Sequence, residues 1–216
     1  MRRTKEDAQA TREQLLEAAE RLFLERGLVR TSLQDIAQAA GVTRGAFYWH
    51  FTDKVALVQA LIDRVDLPLE QASREAETTL AHAPLERLRL MARAPFELIA
   101  SDLRARRVFT ILLHRGEFVG ELAALARRHD EAMDDCIGRM QRCFEAAEAA
   151  GQLGPGISAA VAATALLALV DGLLRLCTQG EAGGETDGRT AERLCREAPL
   201  AIDALITGLA QHGRRA

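Results

Sequence analysis

Between residues 43 and 54 of this 216-residue chain, Thr43, Arg44, Tyr48, His50 and Lys54 gather long or hydroxylated hydrogen-bond donors within twelve positions. Donors of this kind suit phosphate oxygens, and an arginine at a helix N-terminus has the forked geometry that reads guanine in a major groove. Gly45 and Ala46 are small, so the backbone there can approach a nucleic acid closely. The only tyrosine and the only tryptophan, Tyr48 and Trp49, are adjacent. Neighbours on a helix diverge by roughly 100°, so the two cannot both face a core. An ordinary amphipathic helix whose aromatics fill the interior would not place them so.

Donors at this spacing must be held by a scaffold, and the preceding residues supply one. Thr31 and Ser32 stand three residues before Gln34 and Asp35, giving two overlapping capping-box registers for a short helix from about Leu33. Ile36, Ala37 and Ala40 recur at helical spacing, Gly41 lets the chain turn sharply, and Val42 pins the turn inward. Thr43 caps a second short helix over 44–51, with Phe47 and Phe51 at i,i+4 on the face toward the first. Two short helices joined by a glycine turn form a helix-turn-helix.

Residues 31–54 resemble the helix-turn-helix of the TetR family of bacterial repressors. The pattern I-A-x-x-A-G-V-T-x-G-x-x-Y-x-H-F-x-x-K is matched by Ile36, Ala37, Ala40, Gly41, Val42, Thr43, Gly45, Tyr48, His50, Phe51 and Lys54. The resemblance implies a cytoplasmic homodimer that binds a double-stranded, palindromic operator through Thr31, Thr43, Arg44, Gly45, Tyr48, Trp49, His50 and Lys54.

With 48% hydrophobic and 27% charged residues the chain suits a soluble globular protein with a sizeable core. The start is charged and lacks the apolar region of a secretory signal. The formal net charge of −3 argues against a globally basic nucleic-acid binder, so the local face must carry the attraction. Arg2, Arg3, Lys5 and Arg12 are read as a cationic arm, disordered before Thr11 without DNA, that reaches phosphates or the minor groove. Cys136, Cys143, Cys177 and Cys195 lack CxxC spacing and read as buried thiols in a reducing compartment, with Cys136 and Cys143, i,i+7 on one face, as a redox candidate. No metal or cofactor site is expected. No nucleophile–base pair or phosphate loop is visible, and Asp171 with His114 would make a weak acid–base pair, so an enzyme is not expected.

The fold expected is all-α: a three-helix reading domain over 1–52 and a helical ligand-binding and dimerisation domain over 53–216. The first helix runs from about Thr11, burying Leu15, Ala19, Leu22 and Phe23, and ends at Gly27. The fourth starts at a Thr52 or Asp53 cap and continues past Pro68 with a kink or break; Pro95 predicts another kink, and Pro199 divides the last helix. Residues 157–178 are apolar all round but are interrupted by Asp171 and Arg175, which fits a buried helix better than a membrane span. A flexible loop over 180–189 separates it from the last helix. These two helices offer a self-association surface through Ala163, Leu167, Leu174, Ala201, Leu205 and Leu209.

The segment L-L-H-R-G-E-F-V-G-E, followed by a long helix and G-Q-L, is similar to the AcrR-like repressors of multidrug efflux pumps. That likeness implies an apolar chamber for a small hydrophobic or aromatic inducer. Thr110, His114 and Asp171 match its polar positions. Met91, Phe96, Phe109, Leu113, Phe118, Cys136, Met140 and Leu167 supply adaptable walls. His114 and Asp171 have ordinary structural readings too, as a satisfied core histidine and as an acid paired with Arg175. The alternative within the same fold is a metabolic or signalling regulator with a narrow ligand.

Overall fold

The computed structural model describes residues 5–182 and 188–211; Arg2 and Arg3, and part of the 180–189 segment, lie outside them. Nine α-helices are present among the described residues, and no strand. They are α1 (Lys5–Arg26), α2 (Leu33–Ala39), α3 (Arg44–His50), α4 (Lys54–Thr79), α5 (Pro84–Ser101), α6 (Leu103–Thr110), α7 (Ala123–Ala149), α8 (Ala159–Thr178) and α9 (Gly188–Gln211). A π-helical turn, Ile111–Arg115, prolongs α6, and short 3-10 turns precede α7 and follow α8.

The first helix begins six residues before the expected start, so the chain from Lys5 to Thr11 is helical rather than an arm. Glu6 and Asp7 sit in the positive first turn, and the Thr11 hydroxyl donates to the Asp7 carbonyl at 2.9 Å. Arg12 lies over the Phe51 ring, 5.1 Å from its centroid, and is thus occupied by the head itself. The expected stripe of Leu15, Ala19, Leu22 and Phe23 is buried, and so are Leu16 and Ala18, because α1 touches α2 on one side and α4 and α6 on the other. Gly27 ends the helix at φ 82°, a conformation that favours glycine.

The body is arranged around α5, which contacts α4, α6, α7, α8 and α9. Pro84 occupies its first turn, where the missing N–H costs nothing. Leu88, Ala92, Phe96 and Ile99 form its buried face. Pro68, Pro95 and Pro199 all lie inside continuous helices, so α9 is not divided. Each proline forfeits one i→i−4 bond, at a cost of ~3 kcal/mol, while Val65 on α4, Phe96 on α5 and Ala198 on α9 stay buried in the core. Helix α8 is long and apolar enough to cross a membrane, yet it packs against α5, α6, α7 and α9.

The self-association residues need correction. Ala163 (0% exposed) and Leu174 (8%) face the protomer's own core, while Leu167, Ala201, Leu205 and Leu209 are half-buried. The outward apolar stripe of α8 is Val161, Ala165, Ala168, Gly172 and Leu176, continued on α9 by Leu200, Ala204 and Gly208. A helix apolar on every side has no sequence signal that separates its inner face from its outer one.

Candidate nucleic-acid interface

The helix-turn-helix is fixed by capping. Of the two possible registers the chain uses the second: the Asp35 N–H donates to Ser32 Oγ (3.2 Å), and the Asp35 carboxyl is held below its usual range by accepting from the Ser32 hydroxyl (2.7 Å) and the Ser32 N–H (2.9 Å) at Oδ2. Gly41, at φ 69°, closes α2, and the Val42 N–H returns to the Ala37 carbonyl at 3.0 Å. Thr43 then caps α3 by accepting from the Ala46 N–H at 3.2 Å. Phe47 and Phe51 point inward with ring centroids 5.8 Å apart, which locks the rotation of α3.

That rotation turns Thr43, Arg44, Gly45, Tyr48 and Trp49 to solvent, with Trp49 74% exposed. Arg44 and Tyr48 form a preassembled pair: Arg44 Nη2 donates to the Tyr48 hydroxyl at 3.3 Å, and the guanidinium lies 5.6 Å from the ring centroid. The Phe47 ring supports Tyr48 edge-on, with centroids 5.6 Å apart. His50 is half-buried against Trp49. No acidic residue lies on α3, so the exposed face keeps a net positive charge.

Two expected DNA contacts are placed inward. Thr31 is 1% exposed and donates to the Gly27 carbonyl at 2.9 Å, because the Ser32 register puts it one position before the cap, folded under the helix. Lys54 is 6% exposed; its ammonium lies 4.0 Å from Glu121, and burial lowers its pKa. The first turn of α4 packs beneath the Gly120–Leu122 turn, which covers the lysine stem. Lys54 therefore belongs to the junction of head and body.

That junction is charged, and its core was missed by sequence reasoning. Arg64 of α4 pairs with Glu13 and the fully buried Glu20 of α1, and Arg104 of α6 pairs with Glu17 and Glu13. Burial raises the Glu20 pKa against the opposing pull of Arg64, Arg107 and Arg104. Its position beside Leu16 and Phe23 at i,i+4 and i,i+3 spacing was the available signal. The Arg115 carbonyl, at the end of the π turn, accepts from the Leu28 N–H at 3.4 Å. A cleft of about 460 Å³ opens between head and body, lined by Arg12, His50, Phe51, Asp53, Gln59, Asp63 and Arg128 among others.

In the body, Phe96, Phe109 and Met140 are buried in the core, and Met91, Leu113, Phe118, Cys136 and Leu167 pack against it half-buried. Thr110, 0% exposed, donates to the Arg106 carbonyl at 2.9 Å. His114 Nε2 lies 2.9 Å from Thr178 Oγ1. The Thr178 hydroxyl also donates to the Leu174 carbonyl at 2.8 Å, so this contact ties the π turn to the last turn of α8. Burial holds the His114 pKa below its ordinary value, and a hydrogen bond to the Arg175 backbone opposes it. Asp171 departs from the expected chamber wall: its side chain is 41% exposed and accepts from Arg175 Nε at 2.9 Å, while Arg175 also donates to the Leu113 carbonyl. Gly116 has no room for a side chain, since a Cβ there would sit 2.8 Å from the Leu112 carbonyl oxygen and 3.0 Å from the Phe118 ring.

A capped helix-turn-helix whose second helix presents an arginine, a threonine and two aromatics to solvent, set on a helical body, defines a DNA-binding regulator. The comparisons give its family. Residues 15–61 match the model of bacterial regulatory proteins of the tetR family, and residues 83–177 match the C-terminal region of MAATS-type transcriptional repressors. The chain is 42% identical over 175 residues to the HTH-type transcriptional regulator TtgR of Pseudomonas putida, covering 81% of this chain and 83% of TtgR. Among solved structures it is similar to NalD, the secondary repressor of the MexAB-OprM multidrug efflux pump in Pseudomonas aeruginosa, with TM-score 0.78, 35% identity and coverage of 96% and 99% of the two chains. It is also similar to the SmeT–triclosan complex, SmeT being the repressor of the SmeDEF multidrug efflux pump of Stenotrophomonas maltophilia, with TM-score 0.73, 32% identity and coverage of 92% and 91%. The chain belongs to the TetR family of bacterial transcriptional regulators.

Proposed function

We propose that the chain is a cytoplasmic homodimeric repressor of a multidrug efflux operon, released from its palindromic operator by small hydrophobic ligands bound in the body. The observation that carries the DNA-binding part is the outward Arg44–Tyr48 pair on a capped, inwardly locked α3. We divide the chain at residues 52 and 53, with the head reading DNA through Thr43, Arg44, Gly45, Tyr48, Trp49 and His50. The efflux assignment rests on NalD and SmeT being repressors of such pumps, and the ligand class on SmeT having been captured with triclosan.

Dimerisation through the outer stripe of α8 and α9 covers an apolar surface rich in alanine and glycine, which lets two helix pairs approach closely. Two reading heads then address successive major grooves, roughly 34–36 Å apart. Ligand entry among Met91, Phe96, Phe109, Phe118 and Met140 displaces soft side chains that now fill the core. The displacement reaches the head through α6, whose end bonds to Leu28, and through α4, whose Arg64 holds α1. A ligand acts only by its preference for the released arrangement.

The test is a mobility-shift and footprinting assay on DNA upstream of the protein's own gene and of its neighbour, with a panel including triclosan and chemically unrelated lipophilic drugs. The proposal expects a protected palindrome that several of these compounds abolish. Release by one compound alone would leave the narrow-ligand regulator, and absence of any protected site would overturn the repressor reading.

A further inference from the structure

Cys136 and Cys143 build no reactive site: Cys143 is buried with Arg87 Nε 3.0 Å from its sulfur, Cys136 is half-buried, and burial pushes its thiol pKa up. The cleft of about 460 Å³ between head and body is a different matter. It has the size of a small-molecule site, and the route from body to head through α6 and Arg64 does not use it. Arg12 of α1 and Phe51 at the end of α3 line it from the head, and Arg128 of α7 lines it from the body. Between them α4 contributes the apolar side chains of Val55, Ala56 and Ala60.

The charged groups of the cleft are not equally engaged. Asp53 caps α4, accepting from the Ala56 N–H at 2.7 Å and from the Thr52 hydroxyl at 3.3 Å. Asp63 accepts from the Gln59 side-chain amide at 2.8 Å. The two guanidiniums have weaker partners. Arg12 lies 5.1 Å from the Phe51 ring centroid, a contact that uses no N–H, and Glu13 approaches it no closer than 4.0 Å. Arg128 donates to the Gln59 side-chain oxygen at 3.0 Å and has no carboxylate within 4.0 Å among the described residues. Gln59 is thus bonded at both ends of its amide, which fixes where Arg128 stands. The surplus hydrogen-bonding capacity of the cleft therefore lies with donors, on one cation from the head and one from the body.

We propose that this cleft binds a small organic acid, its carboxylate taken by Arg12 and Arg128 and its apolar body covering Val55, Ala56 and Ala60. A carboxylate carries two planar acceptor oxygens that match the guanidinium fork, so a single group can accept from both arginines. An inorganic anion would answer the cations and leave the apolar surface wet. A neutral hydrophobic molecule would cover that surface and leave the guanidiniums without an acceptor. The consequence for DNA follows from charge and place. His50 lines the same cleft and meets Trp49 of the exposed face edge-on, with ring centroids 4.8 Å apart. An acid bound here sets negative charge beside α3 and neutralises Arg12 of the head, which lowers the attraction for a phosphate backbone. The binding site stands independently, whereas its effect on DNA rests on the repressor reading.

The experiment titrates the full-length protein calorimetrically with naphthoate, with naphthalenemethanol as the neutral isostere and inorganic phosphate as the anion without an apolar body. The expected result is saturable binding of the acid at one molecule per chain, with the alcohol and the phosphate weaker by about tenfold or more. Arg12→Gln and Arg128→Gln should each weaken the acid by about tenfold. Arg128 is exposed, so its variant should keep the wild-type melting temperature. Saturating acid should also lower affinity for the protected upstream DNA in the wild type and not in Arg128→Gln. No saturable binding, equal binding of acid and alcohol, or an acid affinity that survives both substitutions would overturn the site, and bound acid that leaves DNA affinity unchanged would overturn its effect on DNA. Acid binding lost in both variants of a protein that protects no DNA would leave the site standing and overturn the repressor reading.

Discussion

Head and body are both helical and both apolar inside, yet they use their polar groups in opposite ways. On α3, Arg44 and Tyr48 point outward and bond to each other across the exposed face. In the body the polar groups are answered between helices or along one: His114 by Thr178, Asp171 by Arg175, and Asp203 by Arg93 and Arg89. A reader needs donors held still for an external partner. A chamber for varied apolar ligands needs a closed polar frame around side chains that can be displaced. The head should therefore be intolerant of substitution position by position, and the body tolerant where volume is kept.

The largest effect that sharpens this contrast is at Phe47, fully buried between α2 and α3. Phe47→Ala should cost roughly 3–5 kcal/mol in urea denaturation and abolish DNA binding, whereas Met140→Leu in the body should cost under about 1.5 kcal/mol. Equal losses would break the contrast. Next is the junction between the two regions. Arg64→Met leaves Glu20 buried without its main partner and should cost about 3 kcal/mol, and adding Glu20→Leu should restore most of it; additive losses in that double mutant would show that the pair is not coupled. Third, Arg44→Ala should reduce affinity for the protected DNA by about 10- to 100-fold, equivalent to roughly 1–3 kcal/mol, with an unchanged melting temperature.

The smallest effect concerns Asp66 on α4, whose pKa is pushed from 3.8 to about 6 by burial, then by Asp63 and Glu70, with His129 opposing. The folded state thus holds this proton more tightly than the unfolded chain does. Its contribution to stability is complete below about pH 4 and is lost as pH rises through about 6. Asp66→Asn, neutral throughout, should raise stability at about pH 8 by on the order of 1 kcal/mol after allowance for solvent screening, and by nothing below about pH 4. A gain independent of pH would point to packing instead.

The same contrast explains what the sequence revealed. Gly41, Thr43, Phe47 and Tyr48 each answer one geometric demand, a positive φ, a cap, an inward anchor and an outward donor, so their types alone located the head. Thr31 and Lys54 were misplaced because donors were counted without their rotation: a one-residue choice between Thr31 and Ser32 as the cap decides which of them faces solvent, and Lys54 is covered by the distant Gly120–Leu122 turn. In the body, helix existence was legible from the apolar runs, as over residues 157–178. Facing was not, since Ala163 and Ala165 are chemically identical while only the second lies on the outer stripe. Partners from distant elements, Glu20 with Arg64 and His114 with Thr178, required the tertiary fold.

The chain's only tryptophan stands exposed on α3, so the head carries its own reporter. The most direct test is to follow Trp49 emission while titrating the protected upstream DNA into the protein and then adding a hydrophobic ligand such as triclosan. The account expects a saturable change at one dimer or a small whole number of dimers per site, absent with scrambled DNA and reversed by the ligand. Emission that responds equally to scrambled DNA, or a ligand that binds the protein and leaves the DNA-bound signal unchanged, would contradict it.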